Sequence, residues 1–257
     1  MSDSPASSPR SPPRVNVLGV GVHAVDMPGA VDLILTAARQ GRPGYVCATS
    51  VHGIVEAQRD PSLRRILNRA MLNSPDGRPL VWVGRLQGFR DMDQVSGPEL
   101  MHGVCRESVR WGLRHFLFGG EPGVAARLQA VLEEAFPGIQ VVGTATPPFR
   151  PLEPPELAEL ATRVRESRPD LFWVGTSTPK QERFMADHHE QLGTTLMLGV
   201  GGAFDVLTGR VKNSPLWLKR CGLRWAHRIL QDPVRLAPRY LRIVPIFTFL
   251  IALELLG

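Results

Sequence analysis

Asp76, in the run Ser74-Pro75-Asp76-Gly77, is the acid whose setting best suits proton transfer. A carboxylate that keeps one oxygen free beside a cleft can accept the proton of an attacking hydroxyl group. Pro-Asp-Gly is also a common turn sequence, because Pro presets the backbone and Gly accepts a left-handed conformation. The local pattern alone favours the turn. A catalytic base is the alternative role, and motifs elsewhere in the sequence must decide between the two.

Two further runs have the composition of loops that bind anions or sugars. In Thr178–Glu182 (TPKQE), Pro at a helix start leaves free backbone amides that attract anions. Gln181 in this run could contact a sugar hydroxyl or merely cap the helix. In Gly199–Asp205 (GVGGAFD), glycines such as Gly201 let a ligand approach the backbone. Asp205 could accept a hydrogen bond from a ribose or a base edge, or cap the following helix.

Two other motifs imitate cofactor sites but lack essential parts of them. Gly19 and Gly21 follow the first apolar run, as in a dinucleotide-binding loop. Such a site also needs an acid at the end of the second strand, and the run Cys47–Ser50 has none there, so a tight turn is the better interpretation. Asp91 and Asp93 resemble a metal-binding acid pair, but their polar surroundings favour a solvated loop.

The spacing of histidines and cysteines indicates neither a metal site nor a disulfide framework. The seven histidines lack a ligand spacing such as His-Glu-x-x-His, and His52, just after the second predicted strand, is the best placed for a ligand. The three cysteines, Cys47, Cys105 and Cys221, are scattered and odd in number. They are therefore interpreted as small buried apolar residues in a reducing compartment.

Strand-like and helix-like segments alternate along the chain. Strands are predicted at Val15–Val20, Tyr45–Thr49, His115–Gly119, Gln140–Thr144, Leu171–Gly175 and Thr195–Gly199. Helices are predicted at Ala30–Arg39, Val51–Ala70, Glu99–Trp111, Val124–Phe136, Pro155–Ser167 and Gln181–His189, while Leu80–Gly84 fits either. The alternation predicts an α/β fold, a Rossmann-like parallel sheet with helices on both faces. Ligands bind at the carboxyl ends of such strands, where Gly119 and Gly201 fall.

The chain is basic, and its basic residues concentrate towards the C-terminus. The net charge is +6 and the pI about 9.9, a balance that favours anionic partners or simply solubility. Residues 210–242 contain nine basic residues and one acid, Asp232, with apolar side chains interleaved. The apolar run Ile243–Leu256 is too short to span a membrane, so it is interpreted as a buried terminal helix or an interfacial segment.

These features divide the chain into three parts. Residues 1–14 are rich in Ser and Pro and are predicted to be a disordered leader with no signal peptide. Residues 15–209 are predicted to form the α/β core. Residues 210–257 are predicted to form a C-terminal helical appendage, first basic and then apolar, that associates with a membrane.

Several motifs, taken in order, resemble the WecG/TagA/CpsF family of bacterial glycosyltransferases, also called glycosyltransferase family 26. The resemblance extends from about Val15 to Arg242. It rests on the runs VEAQRDP at 55–61, PDGRPLVW at 75–82, SGPELM at 96–101, FGGEPG at 118–123, PPF at 147–149, TPKQE at 178–182 and GVGGAFD at 199–205. Each run is modest alone, and their order makes the resemblance specific.

The resemblance implies an inverting, metal-independent enzyme that needs no cofactor. The family uses UDP-sugars and extends polyprenyl-diphosphate-linked saccharides for surface polymers such as teichoic acid, capsule or exopolysaccharide. The expected partners are a UDP-sugar donor, a lipid-linked acceptor and an anionic membrane surface, without nucleic acid, and a homo-oligomer is left open. The expected location is cytoplasmic, on the inner face of the plasma membrane, and the transferred group is a hexose or an N-acetylhexosamine.

The family's core site residues carry over onto four positions of this chain. By position, Asp76 matches the family's base, which reverses the preference for a simple turn. Thr49 and Gln181 match polar residues near the donor sugar, and Asp205 matches a residue near the uridine. The resemblance therefore implies a donor site at the carboxyl ends of the predicted strands.

The family's C-terminal appendage has arginines that hold the diphosphate, and these match Arg228 and Arg235. The third arginine is shifted in this chain, because Pro238 takes its place, and Arg239 is carried over in its stead. Many members have Thr-x-Asn after the second strand where this chain has Thr-Ser-Val. His52 is expected to substitute for the missing amide.

Two other functions remain as alternatives on the sequence alone. An NAD-dependent oxidoreductase would use Gly19 and Gly21, but it lacks the acid that binds the ribose. A non-catalytic basic module would bind membrane or nucleic acid through residues 210–242, but this function leaves the glycine run and Gln181 unexplained.

Overall fold

The computed structural model describes residues 12–193 and 196–256, so most of the predicted leader lies outside the described residues. The strands are β1 Arg14–Val17, β2 Val20–His23, β3 Gly44–Thr49, β4 Leu72–Pro75, β5 Arg114–Gly119, β6 Gln140–Ala145, β7 Leu171–Gly175 and β8 Leu196–Gly199. The helices are α1 Met27–Arg39, α2 Val51–Arg59, α3 Pro61–Arg69, α4 Arg78–Leu86, α5 Gly97–Ser108, α6 Val124–Ala135, α7 Pro154–Ser167, α8 Lys180–His188, α9 Ala203–Leu207, α10 Leu216–Arg220, α11 Arg224–Gln231 and α12 Pro233–Leu256.

Six of these strands form one parallel sheet, which confirms the predicted α/β fold. The strand order is β4-β3-β8-β7-β5-β6, and every neighbouring pair is parallel. Helices α1, α5, α6 and α9 pack on one face, while α2, α3, α4, α7, α8 and α12 pack on the other. Because both faces are covered, central strands such as Leu171–Gly175 are nearly continuous apolar runs.

The predicted helix Val51–Ala70 is two helices, because Asp60 and Pro61 interrupt it. The residue before a proline avoids the helical conformation, and Asp60 is extended, with φ −127° and ψ 93°. The Asp60 side chain then accepts hydrogen bonds from the backbone N–H groups of Ser62 and Leu63, which caps α3. The prediction of a single helix was therefore wrong at this point.

Strand β4 was missed by the prediction, which placed Asp76 after a helix. Asn73 and Ser74 in this strand are polar yet fully buried, so the strand shows no apolar run. The Asn73 N–H donates to His23 Nδ1 at 2.9 Å, and its side-chain amide donates to the Gly21 carbonyl at 3.1 Å. Strand β4 places Asp76 directly after the carboxyl end of a parallel strand.

The first predicted strand, Val15–Val20, is an antiparallel hairpin of β1 and β2 outside the six-stranded sheet. Leu18 and Gly19 form its turn with φ of 52° and 79°, the two left-handed residues that a type I′ turn requires. Because Gly19 and Gly21 do not follow a strand of the parallel sheet, they cannot act as a dinucleotide-binding loop. The interpretation as a tight turn is confirmed.

Helix α12 packs its apolar face against the core near α2. Ile243, Phe247 and Ile251 are buried and recur every four residues, the spacing of one helix face. Near the end of α12, the Glu254 carboxylate accepts hydrogen bonds from the Leu18 N–H at 3.1 and 3.2 Å. These contacts fasten the C-terminal helix to the hairpin at one end of the molecule.

The apolar C-terminal helix is longer than the sequence indicated. Helix α12 spans 24 residues and continues through Pro238 and Pro245. Its stretch Leu236–Glu254 has a mean hydropathy of 1.5 and is long and apolar enough, by length and composition, to cross a membrane. The sequence interpretation began the apolar run at Ile243 and did not include the preceding turns of the helix.

Gly97, the first residue of α5, packs directly on the backbone that follows β8. A Cβ atom at Gly97 would lie 2.5 Å from the Val200 carbonyl oxygen. We therefore expect Gly97→Ala to displace α5 and to lower the free energy of unfolding by about 1–3 kcal/mol, measured by urea denaturation. Gly77→Ala is the control, because its Cβ would meet its nearest atom, Pro79 Cδ, at 3.6 Å. Equal stability of the two variants would contradict the assigned contact.

Candidate active site

A cavity of about 680 Å³ lies at the carboxyl edge of the parallel sheet. Residues that follow four neighbouring strands line it: Ser50 after β3, Asp76 after β4, Ser177 after β7 and Gly201 after β8. Side chains of α10, α11 and α12 line the cavity as well. Parallel strands end at one edge, so the fold brings these distant segments together where α/β proteins bind ligands.

Backbone hydrogen bonds hold Asp76 at the edge of this cavity. Its N–H donates to the Thr49 carbonyl at 2.9 Å, which extends the pairing of β4 with β3 by one residue. Its carbonyl accepts from Gln94 Nε2 at 3.1 Å. The Asp76 side chain is 28% exposed. The backbone is therefore fixed on both sides while the carboxylate lines the cavity.

Burial brings the titration of Asp76 close to neutral pH. Burial raises the pKa of Asp76 to about 6, against the opposing effect of Arg224, and Glu99 raises it further while Arg228 lowers it. Arg224 Nη1 lies 3.9 Å from Asp76 Oδ1. A general base is most effective when its pKa is near the working pH. Asp76 therefore has the electrostatic setting of a proton acceptor.

Gln181 holds the glycine run in place. Its side chain is 1% exposed, and its Oε1 accepts from the Gly201 N–H at 2.9 Å. Its Nε2 donates to Glu182 Oε1 at 3.0 Å, and the Thr178 hydroxyl donates to the same oxygen at 2.8 Å. Gln181 also lines the cavity. Its contact with a donor sugar stays a prediction.

Two of the three arginines predicted to hold diphosphate, Arg228 and Arg239, line the cavity. The Arg228 guanidinium lies over Gly202, where a Cβ atom would be 2.9 Å from Nη2. Burial lowers the pKa of His52, and Arg239 lowers it further against the opposing effect of Glu56. Arg235 belongs to α12, but its side chain is outside the described part of the chain.

Three other residues predicted to bind the donor, Thr49, Gly119 and Asp205, do not line the cavity. Thr49 is only 2% exposed. Gly119 packs on the backbone of Gly175, where a Cβ atom would be 2.6 Å from the carbonyl oxygen. Asp205 lies within α9, where it does not cap the helix, and its carboxylate is 3.2 Å from Arg210 Nε. Their contacts with a donor stay predictions.

Asp93, one of the two acids that resemble a metal-binding pair in the sequence, forms ion pairs with arginines. Arg78 contacts Asp93 directly, and Arg85 lies 3.9 Å from the same carboxylate, whereas Asp91 is exposed. In residues 12–193 and 196–256, no three His, Cys, Asp or Glu side chains are grouped as metal ligands. Asp93 therefore serves as a counter-ion for Arg78, a residue of the cavity wall.

One of the three cysteines is exposed, although the sequence indicated that all three are buried. Cys47 and Cys105 are buried as expected. Cys221 is exposed, so the prediction of a buried residue was wrong for this position. It ends the short helix α10 in the C-terminal segment, beside the cavity and away from both cores.

Three charged residues near Asp76 were missed as site residues: Glu99, Lys219 and Arg224. Glu99 lies in the first turn of α5, and both cations lie within 3.5 Å of its carboxylate. The charge of residues 210–242 indicates that acids elsewhere in the chain pair with them, because nine basic residues there have only one local acid. The identity of the acid depends on tertiary structure, because 120 positions separate Glu99 from Lys219.

The cavity also has an apolar wall. Trp82 and Leu86 contribute to it from α4, and Ile243, Phe247 and Ile251 from α12. Trp82 and Leu86 are 49% and 71% exposed, which is unusual for side chains of this size. A ligand with both an anionic and an apolar part would therefore find complementary surfaces in one cavity.

The site combines a carboxylate of raised pKa, guanidinium groups and a glycine run, the parts needed to activate a hydroxyl group beside a bound diphosphate. The sequence matches the family described as Glycosyl transferase WecG/TagA/CpsF over residues 15–257, nearly the whole chain. The match confirms the resemblance that the sequence motifs indicated. The chain therefore belongs to the WecG/TagA/CpsF family and is a glycosyltransferase of cell-surface polymer synthesis.

Proposed function

We propose that this enzyme transfers a hexosyl or N-acetylhexosaminyl group from a UDP-sugar to a polyprenyl-diphosphate-linked saccharide, with inversion at the anomeric carbon. The product serves bacterial surface-polymer or exopolysaccharide synthesis. One observation carries the proposal: Asp76, a carboxylate with a pKa of about 6, shares a cavity with Arg224, Arg228 and the glycine run at Gly201. The family membership supports it.

In the proposed mechanism, Asp76 removes a proton from the acceptor. The acceptor hydroxyl attacks the anomeric carbon from the face opposite to UDP, so the configuration inverts. The hydroxyl loses its proton during the attack, and a carboxylate within hydrogen-bond reach accepts it. With a pKa of about 6, Asp76 is mostly ionised at pH 7 and is more basic than a solvated aspartate.

The cations of the C-terminal helices stabilise the UDP leaving group. Negative charge develops on the diphosphate as the bond from the anomeric carbon to the phosphate oxygen breaks. Arg228 over Gly202 and Arg239 beside His52 line the cavity where the diphosphate would bind. Guanidinium groups form charge-assisted hydrogen bonds to phosphate oxygens, so we propose a reaction that requires no metal ion.

The surface of α12 supports a lipid-linked acceptor and a place on the inner, cytoplasmic face of the plasma membrane. Leu241 and Phe249 are 73% and 63% exposed on this helix. Basic residues near an anionic leaflet contribute roughly 1 kcal/mol each, and apolar side chains add burial in the interface. The apolar wall of the cavity, with Phe247 and Ile251, would then take the part of the acceptor nearest the bilayer.

The two alternative functions lack comparable support. An NAD-dependent oxidoreductase would need the glycines of the hairpin, and Gly19 lies in its turn, outside the parallel sheet. A non-catalytic basic module would need neither the raised pKa of Asp76 nor the cavity around it. Both alternatives make predictions about ligands that differ from those of a transferase.

Ligand binding and product release test the proposed function. We expect UDP to raise the midpoint of thermal unfolding, because the cavity offers guanidinium groups for a diphosphate. We expect NAD to leave it unchanged, because the glycines of a dinucleotide-binding loop lie in the hairpin, outside the parallel sheet. We also expect UDP release from at least one of a panel of UDP-sugars when a polyprenyl-diphosphate-linked saccharide is present. Stabilisation by NAD alone, with no UDP release from any donor, would refute the proposal.

Replacement of the base should slow the reaction without unfolding the protein. The change Asp76→Asn removes the proton acceptor, and general-base help is worth about 10²–10⁴-fold, so we expect kcat to fall at least about a hundredfold. The same change at an exposed acid, Asp91→Asn, is the control and should leave kcat unchanged. Near-normal turnover by Asp76→Asn would eliminate Asp76 as the base.

Charges on the exposed face of α12 should weaken membrane association. We expect Leu241→Glu and Phe249→Glu to reduce sedimentation with vesicles of anionic phospholipid, because each places a charge in the apolar interface. Trp111→Glu is the control, since Trp111 is also exposed but precedes β5, at the opposite edge of the sheet. Equal sedimentation of all three variants and the wild type would contradict the membrane role of α12.

A further inference from the structure

Glu99, in the first turn of α5, contacts the C-terminal segment that lines the cavity. Its carboxylate lies 2.5 Å from Lys219 Nζ and 3.5 Å from Arg224 Nη1. The side-chain amide of Asn213 donates to it at 3.4 Å. A single acid of the core therefore contacts three residues of the segment 213–231, which we name the docking segment.

Glu99 remains ionised at physiological pH. Burial opposes its ionisation, but Arg224, Lys219 and the donating Ser96 hydroxyl outweigh burial and lower the pKa of Glu99 to about 2. The Glu99 side chain is 31% exposed, and those of Lys219 and Arg224 are 17% exposed. Water and salt screen partly buried charges less than exposed ones, so this cluster is stronger than a surface ion pair.

Arg224 depends on Glu99 as a counter-ion. Its Nη1 is buried and has no hydrogen-bond partner among the described residues. The carboxylates close to it are Glu99 at 3.5 Å and Asp76 at 3.9 Å. A buried cation that loses a carboxylate partner is strongly destabilised. Loss of the Glu99 charge would therefore destabilise the docked position of Arg224, and that of Lys219 as well.

A second acid of the core contacts the chain just before the docking segment but cannot replace Glu99. Glu121 pairs with Arg210, and these side chains are 71% and 42% exposed. Exposed pairs of this kind contribute little to stability. Within the docking segment, the described ion pairs to the core run from Lys219 and Arg224.

We propose that Glu99 is a positioning residue that anchors the docking segment over the cavity. Docking brings Arg224 to 3.9 Å from Asp76 and places Arg228 on the backbone of Gly202. Glu99 acts through these arginines and needs no contact with the substrate. Its effect on turnover rests on the proposed function, whereas the docking itself does not.

Hydrogen–deuterium exchange of the full-length protein measures the docking directly. In Glu99→Gln we expect the amides of residues 213–231 to exchange at least about tenfold faster, because the segment opens more often, while β3 and β8 stay protected. Glu107→Gln is the matched control. Glu107 lies on the same helix and is also 31% exposed, but it pairs with Arg106 and Arg110 nearby in the chain.

Charge reversal distinguishes an anchor from a general defect in folding. Glu99→Lys alone and Lys219→Glu alone should each speed exchange over residues 213–231. The double variant should restore protection in part, because it places opposite charges on positions 99 and 219 but leaves Arg224 beside a lysine side chain. In a UDP-release assay, we expect kcat of the single variants to fall more than KM for the donor rises, since the displaced arginines stabilise the leaving group in the transition state.

Unchanged exchange over residues 213–231 in Glu99→Gln would overturn the proposal. The proposal would also be overturned by a folded double variant in which residues 213–231 exchange as fast as in the single variants. Faster exchange in Glu99→Gln, together with no UDP release even by the wild type, would uphold the anchor and refute the proposed function.

Discussion

The structure depends on one electrostatic balance: the Asp76 carboxyl group keeps a raised pKa beside the guanidinium groups that line the same cavity. Burial raises its pKa to about 6 even though Arg224 and Arg228 act in the opposite direction. Arg224 is shared with a second acid, Glu99, which lies 3.5 Å away against 3.9 Å for Asp76. The ion pair of Arg224 with Asp76 is therefore the longer of the two, and the cavity holds guanidinium groups while the pKa of Asp76 stays raised.

The fold creates this balance by joining segments that are far apart in the chain. Strand β4 pairs with β3 and ends at Asp76, and the Gly97 backbone packs on the turn after β8. Gln181 then holds that turn by accepting from Gly201. The C-terminal helices supply the cations, and their position depends on contacts with Glu99 and with the core near α2.

The sequence was sufficient for the fold class, which leaves a local pattern, whereas Asp76 was proposed as the base only through the ordered series of family motifs. Alternating apolar runs predicted the parallel sheet, and the Pro-Asp-Gly motif, with the motifs around it, indicated Asp76. Strand β4 was missed because Asn73 and Ser74 are buried polar residues whose N–H and hydroxyl groups donate to residues distant in the chain. The role of Glu99 was missed for a related reason: its partner Lys219 is distant in the chain, and no local pattern reveals such a pair.

Titration of the Asp76 carboxyl group shows directly whether burial raises its pKa among the nearby arginines. It can be followed by carbon-13 NMR in protein labelled at aspartate, with the signal assigned by its absence in Asp76→Asn. We expect a pKa of about 6, because burial outweighs the nearby arginines. A pKa at or below about 3.9, the value of a solvated aspartate, would contradict this expectation.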